Sequence, residues 1–293
     1  VVIEAHEKEK IIKFCESGNI KAVEVAKVTD SGRMQMFWNG QKIVDLSRAF
    51  LDTSGCAKKQ DAKISHLQEV NSNSIEFNED NFYKILAEKN TASQKGLVEM
   101  FDSTVGATTV ALPFGGKYQT TETEGCVQTL PILNAENIET VSYASWGFDA
   151  EISKQNSMVG ASLAVVESVA KIVAMGGNFR NIRLSFQEYF EKLGNNPEKW
   201  GKPLASLLGA YDAQMNLGLA AIGGKDSMSG TYQDINVPPT LISFACADGK
   251  KLNTISPEFK KAGNFIYHFH HQTQENGLPN YETLVEVFDY IHQ

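Results

Sequence analysis

The stretch 159-VGASLAVVESVAKIVAMGGNFRNIRLSF-186 reads as a helix, a double-glycine stop and a strand. Over about 157–175, Val159, Leu163, Val166, Ala170 and Val173 recur on one helical stripe, and Gly176-Gly177 ends the run. Downstream, 237-VPPTLISFACA-247 reads as a further strand. Between them a second helix is expected at about 203–217, stopped by Gly218. A short apolar strand then enters Gly223-Gly224-Lys225-Asp226-Ser227-Met228-Ser229-Gly230. Glycines of this kind permit positive φ and close approach of backbone N–H groups to an anion. Lys225 adds a mobile cation and Ser227 a hydroxyl, as in a phosphate-handling loop; a plain turn is the competing reading. Helices segregated against a sheet give an α+β layer fold.

Further out, Ile11, Ile12 and Phe14 make residues 4–17 an amphipathic helix that stops at Gly18. Strands are expected at 20–28 and 33–38, joined by Asp30-Ser31-Gly32, and Asn39-Gly40 turns into 41–46. This helix and meander reads as structural, without chemistry. Residues 52–65 read as a linker, and Asn78 is placed to cap a helix over 79–89. From 97 to 133 the pattern is β-rich, broken by Pro113 and Gly115-Gly116, with 120–125 a loop.

The 293 residues carry 27 Lys+Arg against 35 Asp+Glu, a net charge of −8, with 42% hydrophobic and 21% charged residues. That is an ordinary globular balance, and an acidic chain without a basic block argues against a nucleic-acid partner. No apolar run reaches the roughly 18 residues of a membrane span, so no membrane partner is expected. Cys15, Cys56, Cys126 and Cys246 lie far apart without a C-x-x-C pair, which fits reduced thiols of the cytoplasm. The chain opens on Val1-Val2-Ile3 without Met and closes inside a helical run, so it reads as a piece of a longer polypeptide.

Four motifs in order, Phe101-Asp102-Ser103-Thr104-Val105-Gly106, Gly116-Lys117-Tyr118-Gln119, Ala164-Val165-Val166-Glu167 and Gly224-Lys225-Asp226-Ser227-Met228-Ser229, carry a family likeness. Residues 65–256 resemble the amino-terminal domain of the second of two tandem halves in phosphoribosylformylglycinamidine synthase. Each of those halves resembles aminoimidazole ribonucleotide synthetase. On this resemblance, 1–64 is the tail of the first half's C-terminal domain plus a linker. Residues 257–293 open the second half's C-terminal domain, leaving partial α/β domains on both flanks.

The resemblance implies a ligase of purine biosynthesis that takes formylglycinamide ribonucleotide, ATP and glutamine. Its products are formylglycinamidine ribonucleotide, ADP, phosphate and glutamate. ATP and Mg2+ belong to the full-length enzyme, and nothing is expected to stay tightly bound to this piece. Lys225 and Ser227 are implied as catalytic residues. Gly223, Gly224, Asp226, Lys117 and Lys171 are implied in binding the nucleotide, and Glu167 as a magnesium ligand of an auxiliary nucleotide site. At that site Gly125 stands where the family has an aspartate and Lys171 where it has an asparagine, so a Glu167–Lys171 ion pair is expected in the metal's place. Lys225 likewise replaces an asparagine ligand of smaller relatives.

The implied partners are the absent first half and a glutaminase domain of the same polypeptide, or a second copy of the chain as a homodimer across an exposed sheet face. No segment resembles the glutaminase, so the chain alone is expected to be inactive. Two other readings compete: a scaffold lobe that binds nucleotide only structurally, and the cyclo-ligase that acts next in the pathway. His268 and His270 share a face of an expected strand but lack a third ligand, and are read as ordinary histidines. Asp102 and Asp149 are read as capping or turn residues. Phe179, Phe186, Tyr189 and Phe190 are read as core.

Overall fold

The computed structural model describes residues 1–53, 59–65, 69–70, 76–89, 91–132, 134–135 and 137–293, and Cys56 lies outside them. The chain divides into two units, Val1–Lys59 and Gln60–Gln293.

In the first unit, helix α1 (Lys8–Ser17) ends where the Gly18 N–H bonds to Cys15 and Glu16 carbonyls. Strands β1 (Arg33–Trp38) and β2 (Gln41–Ser47) form an antiparallel hairpin. Its two-residue turn has Asn39 at φ 47° and Gly40 at φ 79°, the paired left-handed conformations that such a turn requires. A short helix, α2 (Arg48–Asp52), follows, with the Ser47 side chain accepting from the Phe50 N–H. The strand expected at 20–28 does not form. Val23, Val25 and Val28 favour extended backbone, but no described segment offers that stretch a ladder of hydrogen bonds.

The second unit begins with α3 (Glu79–Ala87), whose Asn78 side chain accepts from the Asn81 N–H, and a single turn, α4 (Lys95–Val98). Short strands follow: β3 (Thr109–Ala111), β4 (Phe114–Gly115), β5 (Thr121–Glu122), β6 (Gly125–Thr129) and β7 (Thr140–Gly147). Thr121, Glu122 and Gly125 are thus paired residues inside the expected loop at 120–125, because β4 and β7 supply their partners. Next come α5 (Ala150–Gln155), α6 (Ser157–Ala174), β8 (Arg183–Tyr189), α7 (Pro197–Leu217) and β9 (Ala220–Ser227). A two-strand ribbon of β10 (Thr231–Tyr232) and β11 (Ile235–Asn236) leads to β12 (Thr240–Lys250), and α8 (Tyr281–His292) closes the chain. Strand β12 starts after Pro238-Pro239, which have no N–H to give a ladder. The architecture is α+β, as expected.

Six of these strands form one sheet in the order β3-β6-β7-β12-β8-β9, antiparallel except for the parallel pair β8 and β9. Alternation gives the sheet two unlike faces. Val141, Tyr143 and Ser145 of β7 and Leu241, Ser243, Ala245 and Ala247 of β12 are buried under the helices. On the other face Ala144, Trp146, Phe244, Cys126 and Cys246 stand side by side in register, with Trp146 47% and Phe244 44% exposed.

Helix α6 is buried on more sides than one amphipathic stripe. Ala161, Val165, Val169 and Ile172 are all buried, and Ser168 bonds with Ser243 of the sheet at 2.9 Å and accepts from Ser145 at 2.6 Å. The expected stripe of Leu163, Val166, Ala170 and Val173 instead lines a cavity toward α8. Close approach on both sides depends on glycine. A Cβ on Gly147 would lie 2.2 Å from the Ala164 carbonyl oxygen, and one on Gly209 of α7 2.0 Å from that of Met158. At 18 residues and mean hydropathy 1.6, α6 passes the length and hydropathy test of a membrane span, with 67% of it buried inside the fold. Core-helix burial is why an apolar run reads this way.

Phe179 and Phe190 are core residues and Phe186 packs against the core, whereas Tyr189 is 39% exposed on the open face. The histidine segment is not a strand. His268 and His270 lie in irregular chain with rings 5.9 Å apart, and among the described residues no three His, Cys, Asp or Glu could hold a metal. Asp149 caps α5 by accepting from the Glu151 and Ile152 N–H groups, and Asp102 turns the chain onto Thr104.

Candidate functional site

The Gly223–Ser227 segment is strand rather than loop. It forms the body of β9, in parallel register with β8 as Gly224↔Phe186, Lys225↔Gln187, Asp226↔Glu188 and Ser227↔Tyr189. Gly224 serves strand packing: a Cβ there would meet the Phe186 carbonyl oxygen at 2.6 Å, whereas one on Gly223 would meet nothing within 4 Å. Ile222 takes up a register shift before Gly223. The turn follows instead at Ser229, whose φ is 69°.

Strand alternation separates the motif's side chains. Lys225 and Ser227 fall on the open face of the sheet, in register with Gln187 and Tyr189, and the Lys225 ammonium donates to the Ser227 hydroxyl oxygen. Both β9 positions belong to an edge strand, and among the described residues no carboxylate pairs with Lys225. A cation without a counter-ion beside a hydroxyl, on an accessible edge, is an arrangement that receives an anionic group such as a phosphate. Gln187 and Tyr189 were not predicted. Only the β8–β9 register, which joins residues 38 positions apart in sequence, brings them there.

Asp226 points to the opposite face, next to Glu188. Burial, and then Asp226 itself, push the Glu188 carboxyl up to about 7, and its Oε1 is buried without a hydrogen-bond partner. The pair is two acids that share a site, so one of them holds a proton below neutrality. A carboxyl raised in the folded state stabilises the fold fully below its unfolded value, near 4.5. It loses that contribution as pH rises toward 7, and above that the effect is flat. Stability should therefore fall between pH 5 and 7. In denaturant titrations, Glu188→Gln should remove about 1 kcal/mol of that fall, a value reduced for the group's partial exposure. An unchanged pH profile in the variant would contradict the shared site.

Glu167 and Lys171 meet on α6, as expected. The Lys171 Nζ lies 2.7 Å from Glu167 Oε1. Two further contacts were not foreseen: Glu124 Oε2 at 3.1 Å, and the Trp146 ring with its centroid at 4.8 Å. Glu167 also accepts from the Phe148 N–H at 2.9 Å. With Lys171 at 15% exposure and Glu167 at 40%, the ammonium is the more enclosed member of the pair. Lys171→Ala should cost about 1–2 kcal/mol by chemical denaturation, mostly through the lost stem and cation–π contact, since Glu167 keeps water and one N–H. A variant as stable as the unsubstituted chain would show the pair to be idle.

Lys117 lies in the β4–β5 hairpin with its ammonium 5.3 Å from the Tyr118 ring. Lys117, Lys171 and the β9 residues, all implied in nucleotide binding, lie apart. Strands β12 and β8 separate β9 from β7, and Lys171 arises on the helical side. A cavity of about 440 Å³ opens on the sheet's open face, lined by Phe114, Cys126, Ala144, Trp146 and Phe244 with Glu122 and Glu124. The Cys126 thiol there is pushed up by burial and by Cys246, which opposes thiolate chemistry.

No protein-family model matches the chain. Among curated proteins it is similar to phosphoribosylformylglycinamidine synthase subunit PurL of Campylobacter lari, 23% identical over 267 residues, covering 89% of this chain and 34% of that one. The Thermoplasma acidophilum subunit is 24% identical over 268 residues, covering 88% and 34%. The chain therefore spans about a third of the length of the curated relatives it matches. Among solved structures, T. maritima PurL complexed with FGAR superposes with a TM-score of 0.64 at 16% identity, over 100% of this chain and 42% of that one. PurLQS from Thermotoga maritima gives 0.63 at 17% identity, over 88% and 39%. T. maritima PurL has also been solved complexed with ATP. In sequence and in fold, the chain is similar to phosphoribosylformylglycinamidine synthase subunit PurL, matching about a third of that subunit's length.

Proposed function

We propose that the chain supplies part of the ATP and substrate site of an ATP-dependent ligase. That enzyme converts formylglycinamide ribonucleotide to formylglycinamidine ribonucleotide in the cytoplasm, with glutamine as the source of nitrogen. The observation that carries the reading is the Lys225–Ser227 pair, an unpaired ammonium and a hydroxyl on the open edge of a fold shared with PurL. Bound ATP with Mg2+ supplies the phosphoryl group that activates the amide oxygen. Lys225 faces the phosphate as a positive charge, Ser227 orients substrate through its hydroxyl, and the Gly223 and Gly224 backbone keeps that edge slim. Lys117 extends the nucleotide-binding set, whereas Asp226, on the opposite face beside Glu188, stands outside it. At the auxiliary site Lys171 is the local cation beside Glu167, in the place of the magnesium ion that the family's glutamate would ligate.

Residues 1–64, 65–256 and 257–293 then correspond to a first-half tail, a second-half amino-terminal domain and the start of its C-terminal domain. The first synthetase-like half and a glutaminase domain are the required partners. The exposed Trp146 and Phe244 face is where that half, or a second copy of this chain as a homodimer, would seat. Purified alone, the chain should give no ammonia-dependent product and should scatter light as a dimer. Supplemented with a polypeptide that carries the first half, it should turn over. Turnover by the chain alone would contradict its need for a partner, and a mixture that binds nucleotide but never turns over would overturn the ligase reading in favour of a structural lobe.

A further inference from the structure

A second cavity, of about 510 Å³, lies on the helical side of the sheet, between α6, α8 and residues 269–272. Its body is apolar: Leu163, Val166, Ala170 and Val173 from α6 face Val287 and Ile291 from α8. Its charged lining has one sign, beside the neutral Gln272 and Thr283. Asp149, Glu167 and Glu286 contribute carboxylates, and no lysine or arginine lines the cavity. Glu167 is offset by Lys171 beyond the wall, and Asp149 caps α5 by accepting from two backbone N–H groups. Among the described residues Glu286 has no ion pair. His271 adds a buried Nε2 without a hydrogen-bond partner, and burial followed by the neighbouring His270 pushes its ring down, toward the neutral form.

An apolar cleft with converging polar groups is the usual form of a small-molecule site. Negative walls repel a phosphate and attract a cation, and a neutral imidazole can accept a hydrogen bond from an N–H. We propose that this cavity binds a small organic ammonium with an apolar body, its charged head toward Glu286 and Asp149 and its body between α6 and α8, and that it does not bind a nucleotide. This site is independent of the Lys225–Ser227 reading, since it lies on the other face of the sheet.

The test is binding of 2-phenylethylamine to the purified 293-residue chain, by calorimetry and thermal shift at pH 7.5. The neutral 2-phenylethanol, the anionic 3-phenylpropionate and ATP with Mg2+ run beside it. The amine should bind and raise the melting temperature with concentration, the alcohol more weakly, and the acid not at all. Glu286→Gln should weaken the amine by about tenfold, the scale of one charge-assisted contact, and leave the alcohol unchanged. Ala170→Leu, which fills the cavity without touching the charge, should abolish both. Equal binding of amine and acid, no binding of the amine, or ATP binding that Ala170→Leu removes would each overturn the proposal.

Discussion

Replacing Lys225 or Ser227 with alanine should lower ligase turnover of the reconstituted enzyme by about 10²–10³-fold while leaving the fold intact, the usual loss when one donor to a developing charge is removed. The expectation follows from position. Both side chains stand on an exposed edge strand and contact each other rather than the core, so neither holds the sheet together. Lys225→Ala should raise the KM for ATP as well as lower kcat, because a free ammonium also contributes ground-state attraction to phosphate. Ser227→Ala should act mainly on kcat. Circular dichroism and denaturant midpoints within about 0.5 kcal/mol of the unsubstituted chain would confirm that the loss is chemical. Variants with full turnover would show that the edge is not part of the site.

The largest effect on stability is expected at Gly147. Valine there would drive its Cβ to 2.2 Å from the Ala164 carbonyl oxygen and 2.9 Å from the Glu167 Cβ, against the most buried helix of the fold. Neither neighbour can swing away, since one is helix backbone and the other is the root of a side chain tied to Phe148 and Lys171. Relief requires α6 to move off the sheet, which opens the Ser145, Ser168 and Ser243 hydrogen bonds and the packing around Val165 and Val169. The cost should exceed about 3 kcal/mol, enough to leave much of such a chain unfolded. Gly209→Val should do the same from the α7 side, where the contact with Met158 is 2.0 Å. A soluble Gly147→Val chain with unchanged denaturant midpoint would mean that α6 and the sheet are not this close.

Local features were legible in the sequence because their causes are local. Asn78 caps a helix, Asn39-Gly40 makes the hairpin turn, and Gly176 takes the φ of 98° that ends α6. What sequence misread depends on contacts far along the chain. Gly223-Gly224 looked like a phosphate turn, yet glycine is required at 224 because a neighbouring strand passes close to its Cα. Residues 20–28 have the composition of a strand but no strand partner among the described residues. The Glu188–Asp226 pair exists only through the parallel register, and Glu124 reaches Lys171 only because β6 is laid beside β7. In the candidate site, Lys225, Ser227, Glu167 and Lys171 were named from sequence, whereas Gln187, Tyr189 and Glu124 needed the sheet to be assembled first.

The central claim, that the open edge at Lys225 and Ser227 is part of a nucleotide site completed by another segment, is tested most directly by calorimetric titration with ATP and Mg2+. The chain is titrated alone, mixed with a polypeptide that carries the first synthetase-like half, and mixed as Lys225→Ala. The account predicts negligible heat from the chain alone, saturable binding in the mixture, and at least about tenfold weaker binding in the Lys225→Ala mixture. Equal binding by the Lys225→Ala mixture, or no binding in any mixture, would contradict it.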